Sequence, residues 1–284
     1  MDTPSKKFVD IEKVIGDKNP KLLKRLPGFI ISFLKRVLHE DENNEVIGAN
    51  QGKDGFVFSK YVLSNFNITV NAIGLENVPK EGGVILASNH PLGGMDALAL
   101  IQVMEPYRKD IKFVVNDILL ALKNLKGLFV GVNKHGKTSA EALQEMNNIF
   151  SSGGATFVFP AGLVSRRLGK TISDLEWKKT FITRAKKFDT PVIPVFVDGE
   201  LSKRFYRLAK IRTFFGIKAN IEMLYLVDEQ YRQKNKTINI YFGKAIPAST
   251  FDKSQNDKGW ANWVKDIVYT LKHTLKQSSK QSSK

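Results

Sequence analysis

The sequence predicts an α/β fold: a mostly parallel central sheet flanked by helices, with an N-terminal helical element suited to a membrane interface. Short β-rich runs recur through the middle of the chain, and helix-like runs of about ten residues or more separate them. The unusual residues gather where those β-rich runs end, which is where α/β sheets keep their functional groups.

Residues 1–65 read as a helical element. Pro27 can open a helix at its first position, and Leu26, Phe29, Ile30, Phe33, Leu34 and Val37 then fall on one continuous helical face. Lys24, Arg25, Lys35 and Arg36 flank that face. Such a helix can lie in the headgroup layer of a membrane, or it can pack on a core; the pattern serves both. Residues 66–250 form the α/β domain, with β-rich runs at 67–73, 84–88, 111–115, 128–132, 155–159, 192–197 and 238–242. Helical patterns between them include 96–105, 139–150 and 174–187. Residues 251–276 read as a closing helix, and the polar repeat at 277–284 as a disordered tail.

At 42% hydrophobic and 25% charged residues, the chain has an ordinary globular composition rather than a disordered one. It has no cysteine, which excludes disulfides, thiolate metal sites and a cysteine nucleophile and fits a reducing compartment. Lys and Arg exceed Asp and Glu by 44 to 28, a net +16 that attracts nucleic acid, anionic lipid or an acidic protein. No run approaches the ~18–20 consecutive apolar residues of a spanning helix, and residues 1–25 are too polar for a signal peptide.

His90 sits in Ala87-Ser88-Asn89-His90-Pro91-Leu92-Gly93-Gly94-Met95-Asp96, between a β-rich run and a helical one. A histidine at a strand's end followed by a Gly-Gly turn and a carboxylate can form a dyad. The carboxylate fixes one imidazole nitrogen as donor and leaves the other as a base. Asp96 would also sit in the first turn of its helix, where a negative charge is stabilised. Spacing alone fits equally a mere helix cap and a satisfied loop histidine.

These residues resemble the glycerolipid, or lysophospholipid, acyltransferase family (PlsC-like), whose signature is Asn-His, a short spacer and Asp. Three further blocks follow in order. Leu128-Phe129-Val130-Gly131-Val132-Asn133-Lys134 resembles the second, and Phe159-Pro160-Ala161-Gly162-Leu163-Val164-Ser165-Arg166 the third, usually Phe-Pro-Glu-Gly-Thr-Arg-Ser. Val192-Ile193-Pro194-Val195 resembles the fourth, so that the likeness covers about residues 66–245. The resemblance implies His90 as general base and Asp96 as its partner, with direct attack of an acceptor hydroxyl on an acyl thioester. It implies no cofactor beyond the co-substrate, acyl carrier protein or CoA thioester, and no metal. Asn89, Gly93, Gly94, Lys134, Phe159, Pro160, Ala161, Gly162, Ser165, Arg166 and Arg167 are the implied substrate-binding positions.

Three departures bear on the substrate. The spacer between His90 and Asp96 holds five residues where the family usually has four, and Gly93-Gly94 can loop out the extra one. Ala161 and Val164 stand where the family carries Glu and Arg against a glycerol phosphate. Lys134 replaces an Arg, keeping the charge but not the bidentate fork. A phosphate site would have to be rebuilt from Arg166, Arg167 and Lys170. Asn-His-Pro-Leu-Gly-Gly and Phe-Pro-Ala-Gly look like the bacterial hemolysin-like subgroup, some of which are similar to ornithine or glycine lipid O-acyltransferases. Both a phosphate and a carboxylate acceptor stay open.

Two basic stretches interleave cations with aromatics: 165–187 around Trp177, and 203–218 with Phe205, Tyr206, Phe214 and Phe215. Both suit a headgroup layer, docking of an acidic acyl carrier protein, or a plain solvated face. Nucleic acid is not expected as a partner, since zinc-finger spacing, RNP-like strings and Walker loops are missing. A Gly-x-Ser-x-Gly elbow is also missing. The expectation is a peripheral enzyme on the cytoplasmic side of the inner membrane, with membrane lipids as acceptor and surface. The alternatives are a catalytically inactive lipid-binding relative and, further off, a basic nucleic-acid-binding protein.

Overall fold

The computed structural model describes residues 7–116, 119–120, 122–131, 139–218 and 220–281. Its helices are α1 (Ile11–Lys18), α2 (Pro20–Arg25), α3 (Gly28–Val37), α4 (Glu40–Ala49), α5 (Gly55–Asn65), α6 (Gly94–Met104), α7 (Ser139–Ser151), α8 (Thr180–Phe188), α9 (Lys203–Phe214), α10 (Leu226–Tyr231) and α11 (Asp257–Gln281). The strands are β1 (Thr69–Ile73), β2 (Val84–Ser88), β3 (Ile111–Val115), β4 (Phe129–Gly131), β5 (Ala155–Val158), β6 (Arg166–Leu168), β7 (Thr171–Ser173), β8 (Val192–Asp198) and β9 (Thr237–Phe242).

Two compact units partition these elements: residues 54–201 with 235–284, and residues 1–53 with 202–234. The helical zone expected over 1–65 is therefore drawn differently. Helix α5 belongs to the sheet unit, where it packs on α6, and residues 202–234 join the N-terminal helices.

In the sheet unit seven strands run in the order β1-β9-β8-β2-β5-β3-β4, every neighbouring pair parallel except β8–β9. Strand β2 is central and buried along its whole length, as its unbroken apolar run Val-Ile-Leu-Ala requires of a strand covered on both faces. Ile85 and Ala87 pack with Ile182 and Ala185 of α8 and with Val264 and Val268 of α11. Leu86, alternating, points to the opposite face. Helix α6 is buried nearly all round, which marks a helix sunk in a core rather than one lying on a surface. It starts where β2's loop ends, so the site is built on two of the most buried elements.

The expected helix over 174–187 is replaced. A hairpin, β6–β7, turns at Gly169 in the left-handed region (φ 63°), the chain continues without regular structure from Asp174 to Lys178, and α8 begins only at Thr180. At the C-terminus α11 is described through Gln281, inside the segment expected to be a disordered tail; residues 282–284 lie outside the described residues.

In the other unit, Pro27 caps α3 rather than sitting inside it. Leu26 is extended (φ −74°, ψ 123°), as the residue before a proline must be, so it leaves the face that Phe29, Ile30, Phe33, Leu34 and Val37 form. Helix α3 has no buried residue, and Phe29 is 74% exposed. His39 stacks flat on Tyr231 at 3.9 Å and places Nε2 3.3 Å from Asp228, tying α4 to α10.

Gly74 closes β1 in a left-handed conformation (φ 77°), where a Cβ would run into the carbonyl oxygen of Phe242 on β9. Gly74→Ala is expected to destabilise the protein by about 2 kcal/mol or more, measured by urea unfolding.

Candidate active site

Strand β2 ends at Ser88, and Asn89 and His90 follow at its C-terminal edge. The chain turns through Pro91–Gly93 and enters α6 at Gly94. Gly93 takes φ 67°, ψ −132°, a region open in practice only to glycine, while Gly94 is already the first residue of α6. Asp96 then lies fully buried in the first turn of α6. Its carboxylate accepts the Leu92 N–H at 3.0 and 3.2 Å, and Oδ2 stands 2.9 Å from His90 Nδ1.

That last contact is a close pair of atoms without the alignment of a full hydrogen bond, for His90 Nδ1 is buried with no aligned partner. The imidazole stacks on Phe159 at 4.2 Å and keeps a partial exposure of 19%. With Nδ1 turned to the carboxylate, Nε2 is the nitrogen left to accept a proton. Burial pushes the Asp96 carboxyl above its usual range, while His90 and the Leu92 amide pull it back down.

The loop carrying His90 is fixed from two sides. Asn89 is buried and uses its amide as a strand residue would, donating to Val197 O at 2.9 Å and accepting from Val197 N at 2.7 Å, which clips the end of β2 to β8. Asp174, also fully buried, accepts from the His90 N–H at 3.2 Å, the Ser165 hydroxyl at 2.5 Å and the Trp177 indole at 2.9 Å. Ser165 N–H donates to His90 O at 2.9 Å, so both backbone groups of His90 are held. The Asp174 N–H in turn donates to the Tyr269 hydroxyl at 2.7 Å. Burial, then the Asp174 charge, pushes Tyr269 up to about 12.

Asp174 and Tyr269 were not legible as site residues. Asp174 reads as the start of a helical run, and only Arg-Leu-Gly-Lys-Thr, a glycine turn between short β-compatible segments, signals the hairpin that delivers it.

The third block divides. Phe159 meets His90, and Pro160 O accepts the Lys178 N–H at 3.0 Å. Gly162 turns the chain at φ 68°. Ala161 and Val164 are 8% and 1% exposed, packed into the core. Ser165 is committed to Asp174, and Arg166 is buried with Nη1 donating to Val164 O at 2.9 Å. Arg167 instead lines a cavity of about 540 Å³ together with Lys170, Lys272 and Asp198. Asn89 and Pro91, on either side of His90, form part of its wall, though His90 does not. Lys272 pairs with Asp198 at 2.7 Å. Trp177 is buried, so the stretch 165–187 is not a continuous basic-aromatic surface. Lys134 lies outside the described residues. Among the described residues no group of three or more His, Asp or Glu side chains is placed to hold a metal ion.

His90 and the buried Asp96 thus meet at the C-terminal edge of the mostly parallel sheet, beside a cavity lined by charged groups, and the chain belongs to the acyltransferase family, whose model matches residues 13–278. It is an O-acyltransferase. It is 42% identical over 265 residues to a lyso-glycine lipid O-acyltransferase of Bacteroides thetaiotaomicron, covering 93% of this chain and 97% of that one. A second lyso-glycine lipid O-acyltransferase, from Phocaeicola vulgatus, is 40% identical over 93% of this chain and 95% of its own. The crystal structure of the 1-acyl-sn-glycerophosphate acyltransferase PlsC from Thermotoga maritima aligns over 88% of this chain and 92% of that one, with a TM-score of 0.47 and 18% identity.

Asp174→Ala removes the acceptor of three buried donors, and a loss of about 3 kcal/mol or more is expected in urea unfolding. Asp96 supplies a pH signature. Because folding raises its pKa, the stability it contributes is complete below the unfolded value of about 3.9 and is lost as pH rises through the folded value. Asp96→Asn stays neutral throughout, so its stability relative to wild type is expected to rise between pH 4 and pH 7. Urea titrations at both pH values check this; a constant difference would show that folding leaves the Asp96 pKa unshifted.

Proposed function

We propose that this enzyme transfers a fatty acyl chain from an acyl carrier protein or CoA thioester to the hydroxyl of a lyso-amino-acid lipid, a lyso-glycine lipid in the first instance. One observation carries the choice of acceptor: Ala161 and Val164 are sealed in the core, where a phosphate-binding relative is expected to present Glu and Arg. The lyso-glycine lipid O-acyltransferases at 42% and 40% identity support it. A carboxylate headgroup needs less cationic clamping than a phosphate dianion, and Arg167, Lys170 and Lys272 in the cavity wall offer suitable charges.

In the reaction, His90 Nε2 takes the proton of the acceptor hydroxyl as its oxygen attacks the thioester carbonyl. The new C–O bond forms, the tetrahedral intermediate collapses with cleavage of C–S, and the imidazolium returns its proton to the departing thiolate. Asp96 holds the ring's orientation and stabilises the imidazolium. Phe159, stacked on the ring, limits its rotation. The chain has no cysteine to form a thioester intermediate, and the step balances without a cofactor.

The enzyme would work as a peripheral protein on the cytoplasmic side of the inner membrane. Phe29 and Phe33, exposed on α3 beside Arg36, support contact with a membrane surface. Among the described residues no helix is long and apolar enough to cross a membrane.

Purified protein given labelled acyl thioester with lyso-glycine lipid and lysophosphatidic acid in parallel tests both halves. Transfer to the lyso-glycine lipid is expected, with a loss of at least about 100-fold in His90→Ala and an unchanged circular dichroism spectrum. Transfer to lysophosphatidic acid alone overturns the acceptor. Wild-type rates in His90→Ala overturn the mechanism, and no transfer by folded wild-type protein returns the choice to an inactive lipid-binding relative.

A further inference from the structure

The stretch 203–218 is not explained by the chemistry at His90. Helix α9 begins at an N-cap, Ser202, whose hydroxyl accepts the Phe205 N–H, and it buries Phe205, Tyr206 and Ala209 along one side. Its far end does the opposite. Phe214 and Phe215 are 83% and 69% exposed, their rings edge to face at 5.2 Å, with Ile211 and Ile217 open beside them. Exposed apolar side chains scattered singly are ordinary, but four gathered on one helix end mark a contact surface.

The tip is also held in shape. Gly216 reverses the chain in the left-handed region (φ 65°). Arg212 Nη1 donates to Ile217 O at 2.8 Å, closing the turn, and Arg212 Nε lies 2.8 Å from the fully buried carboxylate of Glu222. Arg204 stacks over Tyr225 at 4.7 Å, further tying α9 to the segment that follows. An ion pair with a buried partner thus braces a turn whose own hydrophobic side chains face outward. The charge around it has one sign: Lys203, Arg204, Arg207, Lys210, Arg212 and Lys218 lie between Ser202 and Glu222 with no acidic residue among them.

We propose that the tip of α9 is a membrane-docking wedge. Phe214 and Phe215 enter the boundary between headgroups and acyl chains of an anionic bilayer, while Lys203, Arg207, Lys210 and Lys218 lie among the lipid phosphates. The choice of a bilayer as partner rests on the lipid-acyltransferase reading. Charge alone would equally suit an acidic acyl carrier protein, but a carrier drawn by cations does not call for a braced, outward Phe-Phe pair. Aromatic rings at the headgroup level do call for one.

Sedimentation with vesicles of phosphatidylcholine, with and without phosphatidylglycerol, needs no turnover, so its result is separate from that of the transfer assay. Wild-type protein is expected to bind the anionic vesicles, and the double variant Phe214→Ser/Phe215→Ser to bind at least about tenfold more weakly at an unchanged melting temperature. The fourfold variant Lys203→Gln/Arg207→Gln/Lys210→Gln/Lys218→Gln should lose most of the salt dependence of binding. Because the chain has no cysteine, Phe214→Cys carries a single environment-sensitive fluorophore, whose emission should shift to the blue on anionic vesicles. Undiminished vesicle binding by the double variant, or an unshifted emission, overturns the wedge. So does a fourfold variant that keeps its vesicle binding and salt dependence but no longer binds purified acyl carrier protein, which assigns the face to the carrier.

Discussion

The sheet unit is organised around a carboxylate that has been taken out of water. Asp96 has no exposed surface, and an isolated buried charge is strongly unfavourable. Its position answers that: the first turn of α6 supplies a favourable dipole, the Leu92 N–H supplies a donor, and His90 stands within 2.9 Å. Each depends on the loop between β2 and α6 having one shape. That shape in turn needs Gly93 at positive φ and a central strand whose end does not move.

A second buried carboxylate explains why the loop holds still. Asp174 arrives from a hairpin far along the chain and collects the His90 amide, the Ser165 hydroxyl and the Trp177 indole. Asn89 does the same work on the other side by pairing with Val197 as a strand residue would. The polar groups around the His90 loop are therefore committed to one another, while the His90 ring stays partly open.

The third sequence block is divided between the site and the core. The third block keeps its turn, through Pro160 and Gly162, and its aromatic contact with His90, through Phe159. Ala161 and Val164 of the same block pack in the core. Cationic groups sit instead around the neighbouring cavity, where Lys272 is already balanced by Asp198. In the helical unit the imbalance is reversed, with apolar rings exposed and an ion pair to a buried carboxylate bracing them.

Much of this was legible along the chain. The runs at 84–88 and 111–115 coincide with β2 and β3, because short runs rich in apolar and β-branched residues are local signatures. His90, Asp96 and the glycine needed between them are also local, since one turn of chain brings them together. Other features were decided only in three dimensions. Asp174 meets His90 across 84 positions and Tyr269 meets Asp174 across 95, and hydrogen bonds of that range leave no periodic trace in a sequence. The exposure of Phe214 and Phe215 against the burial of Trp177 was equally invisible. An aromatic residue among lysines has the same local pattern whether it faces water or core, and only the packing of the neighbouring elements determines which.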